Sequence, residues 1–417
     1  MNTILNILTF IALLLILIGF HEFAHLIVGK LSKIPVERFS IGFGPAIVKW
    51  KIGETTYQLS VLPLGGYVKF KGEDFDDPEG FFSFPFGRKT ATTAAGIVAN
   101  LLLAVIVYFF IGIVYGIETP PAVLELPEGS SLTQAGFQAG DRVVTVDGKK
   151  VRDFYGFIDF IPNPDTLKVT VVRSDGRHNL LLAPSDRSEV DYLVDAVVAR
   201  VLLKGPADRA GIKPGDRIIA IDGKPVRYWH ELVRAVSAAD SGEALEFTWI
   251  HKSDTLRAGI VPEVMDTTGS PKVGVVAALP SRALTFKEAI WLPLVRTGEI
   301  TARILVTVGR LFTGKESVKN LAGPVGIYQL TAQSLSLGFD ALLSFLAFLS
   351  ISLAILNLLP IPLFDGGRIL MFTIEKIIGR RLGKMVWTVA TYIGVALIAA
   401  LVILVFYNDI SRIITGG

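Results

Sequence analysis

The sequence predicts a polytopic α-helical membrane protein: four transmembrane helices, a membrane-associated β-sheet and two tandem extracytoplasmic α+β domains. Three observations predict it. Apolar runs collect toward both ends of the 417-residue chain, 51% of which is hydrophobic. A run of short, β-rich segments follows the first apolar stretch. A more polar middle repeats itself once. These features also bound the function. A net charge of +3 gives no global argument for nucleic-acid binding. The absence of cysteine excludes disulfides and thiolate metal sites.

Residues 1–35 form the first element. The apolar run from 4 to 29 has no basic segment before it and no small-residue cleavage pattern after it, so it reads as a retained transmembrane helix and not as a signal peptide. Residues 36–89 follow as the membrane-associated sheet and a cytoplasmic loop. "VERFSIGF", "AIVKW" and "TTYQLSVL" are rich in β-formers and punctuated by Pro35, Gly44-Pro45, Gly53 and Pro63. An acidic loop over 73–79 and "FFSFPF" at 81–86 read as a solvated loop with an aromatic membrane-surface anchor.

Residues 90–117 carry no charge over 28 positions and form the second span. Residues 118–194 and 195–282 are the two outer domains. "GSSLTQAGFQAGDRVVTVDGKKV" (129–151) matches "GPADRAGIKPGDRIIAIDGKPV" (205–226), with Gly140-Asp141 recurring at Gly215-Asp216 and Asp147-Gly148 at Asp222-Gly223. Two copies are too few for a solenoid, so they are tandem domains. Their pattern resembles PDZ domains of bacterial envelope proteases. That resemblance implies binding of extended chains at a strand edge, at Tyr192–Ala196 and Val273–Val276. The plainer reading is that the pair only shields an entrance.

Residues 283–338 include an amphipathic stretch, with Arg296, Glu299, Arg303 and Arg310 on one face, and read as membrane-surface helices. Residues 339–366 hold the third span, uncharged from 341 to 364. Residues 367–384 are a basic connection, and 385–417 the fourth span and tail. Lys30, Lys33, Arg88, Lys89, Arg368, Lys376, Arg380, Arg381 and Lys384 all fall on one face, which the distribution of basic residues makes cytoplasmic. Both termini and the repeated domains then lie outside.

The chemistry starts in "IGFHEFAHLI" (18–27). His21 and His25 are spaced i and i+4, so one helical face presents both imidazoles to a metal ion. Glu22 is adjacent, where it can take a proton from water activated at that ion. A polar helix end snorkelling to the interface is the bland alternative. It leaves three ionisable groups within five residues, each costing roughly 2.5–3.5 kcal/mol in a membrane helix, without compensation. A catalytic zinc takes three protein ligands and keeps an open position. His178, His230 and His251 fall in the outer middle, so the third ligand is expected to be a carboxylate. Asp365, in "NLLPIPLFDGGRIL" (357–370), ends the third span at the level of His21 and His25. Pro360, Pro362 and Gly366-Gly367 break the helix there, and the bland alternative for Asp365 by itself is a helix-end turn residue. Asp340 is at the opposite end of the same span.

These features together resemble the site-2 protease family of intramembrane zinc metalloproteases, in its bacterial regulator-of-sigma-E (RseP) type. The resemblance rests on His21-Glu22-Phe-Ala-His25, "VERFSIGFG" (36–44), "PLGGYVKF" (63–70), Asn100 in "AAGIVAN", the repeated pair, "NLAGP" (320–324) and "NLLPIPLFDGG" (357–367). It spans nearly the whole chain in order. Two positions depart from the family pattern: Ile97 stands for the usual proline and Phe364 for the usual leucine. The resemblance implies Zn²⁺ on His21, His25 and Asp365, with Glu22 as general base and then proton donor. It implies substrate contacts from Asn357, Pro360, Tyr67 and Gly42, an unwound substrate held at the 36–70 sheet, and PDZ domains that filter substrates by size. The implied substrates are transmembrane segments of single-pass proteins in the bacterial inner membrane: an anti-sigma factor first trimmed by a site-1 protease, or remnant signal peptides. A metal transporter would need polar residues through several spans, and spans two and four carry neither charge nor histidine. An inactive scaffold would have lost Glu22 or a ligand.

Overall fold

A computed structural model describes residues 3–72, 77, 80–126, 130–160, 165–184, 191–240, 242–264, 270–315 and 323–415. The acidic loop expected at 73–79 lies, apart from Asp77, outside the described residues. So do Asn320 to Ala322 of "NLAGP" and Gly129 at the head of the first repeat. The chain divides into two compact units, residues 1–114 with 284–417, and residues 115–283.

The first unit contains four helices long and apolar enough to cross a membrane. They are α1 (Thr3–Leu31), α2 (Phe86–Val114), α5 (Phe339–Leu358) and α7 (Lys384–Thr415). Between α2 and α5 in the chain come α3 (Phe286–Phe312) and α4 (Pro324–Leu337). Helix α6 (Asp365–Ile378) links α5 to α7. Small residues let the spans approach. Ala104 of α2 and Ala347 and Ser350 of α5 are fully buried, and Ser350 Oγ donates to the Asn100 carbonyl at 2.7 Å. Leu13, Leu17, Leu103, Val107, Leu346 and Ile351 complete this core. Helix α3 adds Ile300, Ile304 and Val308 to it, and its Arg296 guanidinium lies 4.8 Å over the Tyr108 ring.

The sheet is a long hairpin, β1 (Val36–Ile52) and β2 (Thr55–Phe70), bent twice. Residues Arg38–Ile41 pair with Gly66–Lys69 and also with Thr56–Leu59, while 46–52 pair back on 55–60. Segment 36–41 is therefore interior, and 66–70 is left at an edge. Gly42 allows the first bend. Its φ is +91°, and a Cβ there would sit 2.9 Å from the carbonyl oxygens of Ser60 and Leu62. Inside the fold Gln58 Nε2 donates to Ser40 Oγ and Ser60 Oγ, which satisfies three buried polar side chains together.

The expectation of an aromatic surface anchor at 81–86 is corrected for Phe81 and Phe82. A single 3-10 turn, Phe81–Ser83, directs both rings inward, where they meet Phe70, Phe372 and Trp387 at 5.0–6.3 Å. The turn buries more apolar surface under the sheet and α6 than an interfacial position would.

In the second unit the repeat is visible as geometry. Each copy has a four-stranded antiparallel sheet with the same order. In the first it runs Lys149–Lys150, Arg142–Val146, Leu167–Arg173, Gly176–Leu182. In the second it runs Lys224–Pro225, Arg217–Ile221, Leu245–His251, Asp254–Ile260. Asp147 and Asp222 both adopt positive φ, +48° and +50°, in the turns before Gly148 and Gly223. Their side chains accept from the backbone N–H of Lys168 and Glu246. Asp141 and Asp216 are both buried, the first paired with Arg173 and the second with His251.

Candidate active site

Helix α1 places His21 and His25 one turn apart, both buried and both facing α2. Gly96 makes that approach possible, because a Cβ in its place would lie 2.4 Å from His21 Cε1 and from His25 Nε2. The protons of the rings follow from their outer partners. His25 Nδ1 is 2.8 Å from the Thr92 carbonyl oxygen, which can only accept, so the Nδ1 proton is on that side and the Nε2 lone pair faces inward. His21 Nδ1 meets the Asn100 side-chain amide at 3.2 Å, with Nδ2 toward the ring and Oδ1 buried without a partner among the described residues. A half-turn of that amide satisfies both groups, with Oδ1 accepting the Nδ1 proton, and frees His21 Nε2 in the same way.

Asp365 arrives from the first turn of α6. Gly366 and Gly367 let that turn lie directly on the preceding backbone, since Cβ atoms there would sit 2.1 Å from the carbonyl oxygens of Leu358 and Ile361. Asp365 Oδ2 is 3.3 Å from His21 Nε2 and 3.4 Å from His25 Nε2, and the two nitrogens are 3.2 Å apart. Three lone-pair donors converge with no proton between them, and Asp365 Oδ2 is buried without a hydrogen-bond partner among the described residues. A tetrahedral ion with ligands at about 2.0–2.2 Å spaces them about 3.3–3.6 Å apart, so the set fits a zinc ion. Asp340 lies in the first turn of α5, at the far end from this cluster. The other three histidines are elsewhere, each beside a carboxylate of the second unit: Asp175, Glu125 and Asp216.

The three donors open onto a cavity of about 780 Å³ in the first unit. Glu22 lines it, packed so that a Cβ on Gly66 would be 2.8 Å from Glu22 Cγ. Of the residues expected to contact substrate, Tyr67 and Asn357 line the cavity, and Asn357 Nδ2 reaches to 3.5 Å from His21 Nε2. Gly42 and Pro360 are not among the lining residues; the first shapes the sheet bend and the second the α5–α6 turn. Leu14, Leu17, Leu349, Leu353 and Leu356 make the rest largely apolar. Residues 65–68 at the edge of the sheet also line it. Phe364, one of the two departures, faces the cavity, whereas Ile97 is buried in α2.

Gly96, Thr92 and Arg368, which also lines the cavity, were not legible as site residues. The only sequence signal was positional: Gly96 and Thr92 lie four and eight residues before Asn100, on one face of α2.

The profile of peptidase family M50 matches residues 9–401. The chain belongs to this family. Among M50 relatives, a Neisseria meningitidis protein named as a zinc metalloprotease is 32% identical over 98% of this chain and 99% of its own length. The Escherichia coli regulator of sigma-E protease RseP is 31% identical over 97% of this chain and 98% of its own. The Salmonella typhimurium RseP is 30% identical, with coverage of 98% and 99%. A PDZ domain of the SdrC-like protein from Listeria monocytogenes covers 21% of the chain at 22% identity, with a TM-score of 0.19, too low to carry a fold argument. In this M50 chain the four helices long and apolar enough to cross a membrane belong to the same unit as the His-His-Asp cluster.

Proposed function

We propose that the chain is a zinc-dependent intramembrane endopeptidase that cleaves transmembrane segments of single-pass membrane proteins. The observation that carries the reading is the 3.2–3.4 Å triangle of His21, His25 and Asp365 opening onto an apolar cavity within the membrane-spanning unit. Zinc held by these three atoms would polarise the scissile carbonyl and lower the pKa of the attacking water. Glu22 takes the proton from that water and returns it to the leaving amine. Thr92 and Asn100 hold the two rings in their ligating orientation.

A helical substrate hides its amide bonds in its own hydrogen bonds and has to be unwound locally. The sheet edge at 65–68 supports a role in binding the unwound segment as an added strand. Asn357 donates a hydrogen bond to the extended chain. Gly42 and Pro360 act indirectly, by shaping the sheet and the turn that carry Tyr67 and Asp365.

The RseP names of two relatives favour an anti-sigma factor as substrate, trimmed beforehand by another protease, with remnant signal peptides as a second class. The repeated domains, read as an extracytoplasmic PDZ pair, gate access. In the second copy residues 270–275 border a cavity of about 280 Å³ opposite the helix Trp229–Ser237. In the first copy Tyr192 packs on Phe154 at 5.1 Å. The decisive experiment compares cleavage of a model transmembrane substrate by the unaltered protein and Glu22→Gln in liposomes. Glu22→Gln is expected to lose about 10²–10⁴-fold in rate with zinc retained; equal cleavage by both would overturn the reading.

A further inference from the structure

The first unit has a second polar feature, which the peptidase reading does not use. Helix α6 ends at Ile378, and Gly379 closes it in the left-handed conformation, φ +76°. Arg380 and Arg381 follow directly, before α7 starts at Lys384. With Lys376 they ring a cavity of about 270 Å³ whose floor includes Phe86 and Phe372. The ring is held in place: Lys376 Nζ lies 4.4 Å over the Phe86 ring, and Arg381 Nη1 donates to Ser83 Oγ at 3.4 Å.

Among the described residues, the one carboxylate in the cavity wall is already used. Glu375 Oε2 pairs with Lys89 Nζ at 3.1 Å, and Oε1 accepts from Leu382 N and Trp387 Nε1 at 3.2 Å each. The described lining residues therefore keep a net positive charge. Its surroundings are apolar and exposed: Ile377 and Met385 are each 80% accessible and Ile378 51%. Two candidate spans begin here, α2 at Phe86 and α7 at Lys384, so the site is at the level of a membrane–water boundary. Basic side chains around a pocket, with protruding apolar side chains beside it, match a phosphate headgroup and its acyl chains together.

We infer that Lys376, Arg380 and Arg381 form a binding site for the headgroup of an anionic phospholipid. A zwitterionic lipid presents the same phosphate, but its ammonium group is repelled by the remaining cations. The inference is independent of the peptidase chemistry, and its readout is binding alone.

Native mass spectrometry of the full-length protein in detergent tests it, with dioleoyl-phosphatidylglycerol and dioleoyl-phosphatidylcholine added in turn. The unaltered protein should retain phosphatidylglycerol selectively. Arg380→Gln, an exposed change outside any helix, should lower that retention about fivefold, and Lys376→Gln/Arg380→Gln/Arg381→Gln should abolish the selectivity. Inorganic phosphate at the same concentration should leave the lipid bound. Equal retention of the two lipids, unchanged retention by Arg380→Gln, or displacement by inorganic phosphate would each overturn the inference. Where the triple variant fails to fold, the Arg380→Gln result decides.

Discussion

Gly96 of α2 lies so close beneath His25 of α1 that a Cβ in its place would sit 2.4 Å from the ring Nε2, the atom that faces Asp365. The helix interface and the metal-ligand set are therefore one structure. Gly96→Ala should weaken zinc binding about 10–100-fold, as loss of ligand orientation does elsewhere, and reduce cleavage in parallel. Zinc content after dialysis, measured beside helicity by circular dichroism, checks this. Full zinc occupancy in Gly96→Ala would show that the two helices are free to separate.

Asp365→Ala removes the only carboxylate oxygen in the triangle and leaves His21 and His25 in place. A two-ligand site should lose its zinc to a chelator that the unaltered protein withstands. Elemental analysis after chelator treatment is the measurement. Retention equal to the unaltered protein would place the third ligand at another residue.

Lys89 and Glu375 are both buried, 3.1 Å apart, and tie the start of α2 to α6. Removing one partner strands the other charge. Lys89→Met should destabilise by about 3–5 kcal/mol. Lys89→Met/Glu375→Leu should recover much of it, short of about 1 kcal/mol for each of the two N–H donors, Leu382 N and Trp387 Nε1, that lose their acceptor. Thermal unfolding of the single and double variants decides, and additive losses would contradict the pairing.

In the second outer copy, Glu231 caps its helix by accepting from the backbone N–H of Arg227 and Tyr228 at 2.7 and 2.9 Å. Partial burial raises its pKa, but the two backbone hydrogen bonds outweigh that and hold it below the usual carboxylate range. A depressed folded-state pKa gives stability that is present above the ordinary glutamate value and is lost as pH falls through the lowered one. Protection of the amides in the helix Trp229–Ser237, with exchange taken relative to the intrinsic rate at each pH, should therefore fall below about pH 4, and Glu231→Gln should flatten that dependence. Protection independent of pH in the unaltered protein would count against the cap.

The two histidines were legible because their geometry is local: i and i+4 on one helix share a face whatever surrounds them. Asp365 was legible by elimination, in a chain with no cysteine and few histidines, and because Pro360, Pro362 and the Gly366-Gly367 pair announce a break at the right end of an apolar run. The repeat was legible because the positive-φ turns at Asp147 and Asp222 require the same short side chains. By contrast, "FFSFPF" has the composition of an interfacial belt, and nothing local distinguishes that from the core position that Phe81 and Phe82 occupy.

The sequence by itself determined the apolar helices, the residue types able to hold a metal, the proton-transfer residue beside them and the duplicated outer domain. Each depends on periodicity or on neighbours within a few residues. Tertiary structure alone decided that Thr92 and Asn100 orient the two rings, that Gly96 is the contact allowing it, that 66–70 and not 36–41 is the sheet edge, and that the Glu375 carboxylate is used up by Lys89. Those are contacts between residues 25 to 286 positions apart in the chain. Their energy comes from close approach and from satisfying buried polar groups, and neither leaves a periodic trace in the chain.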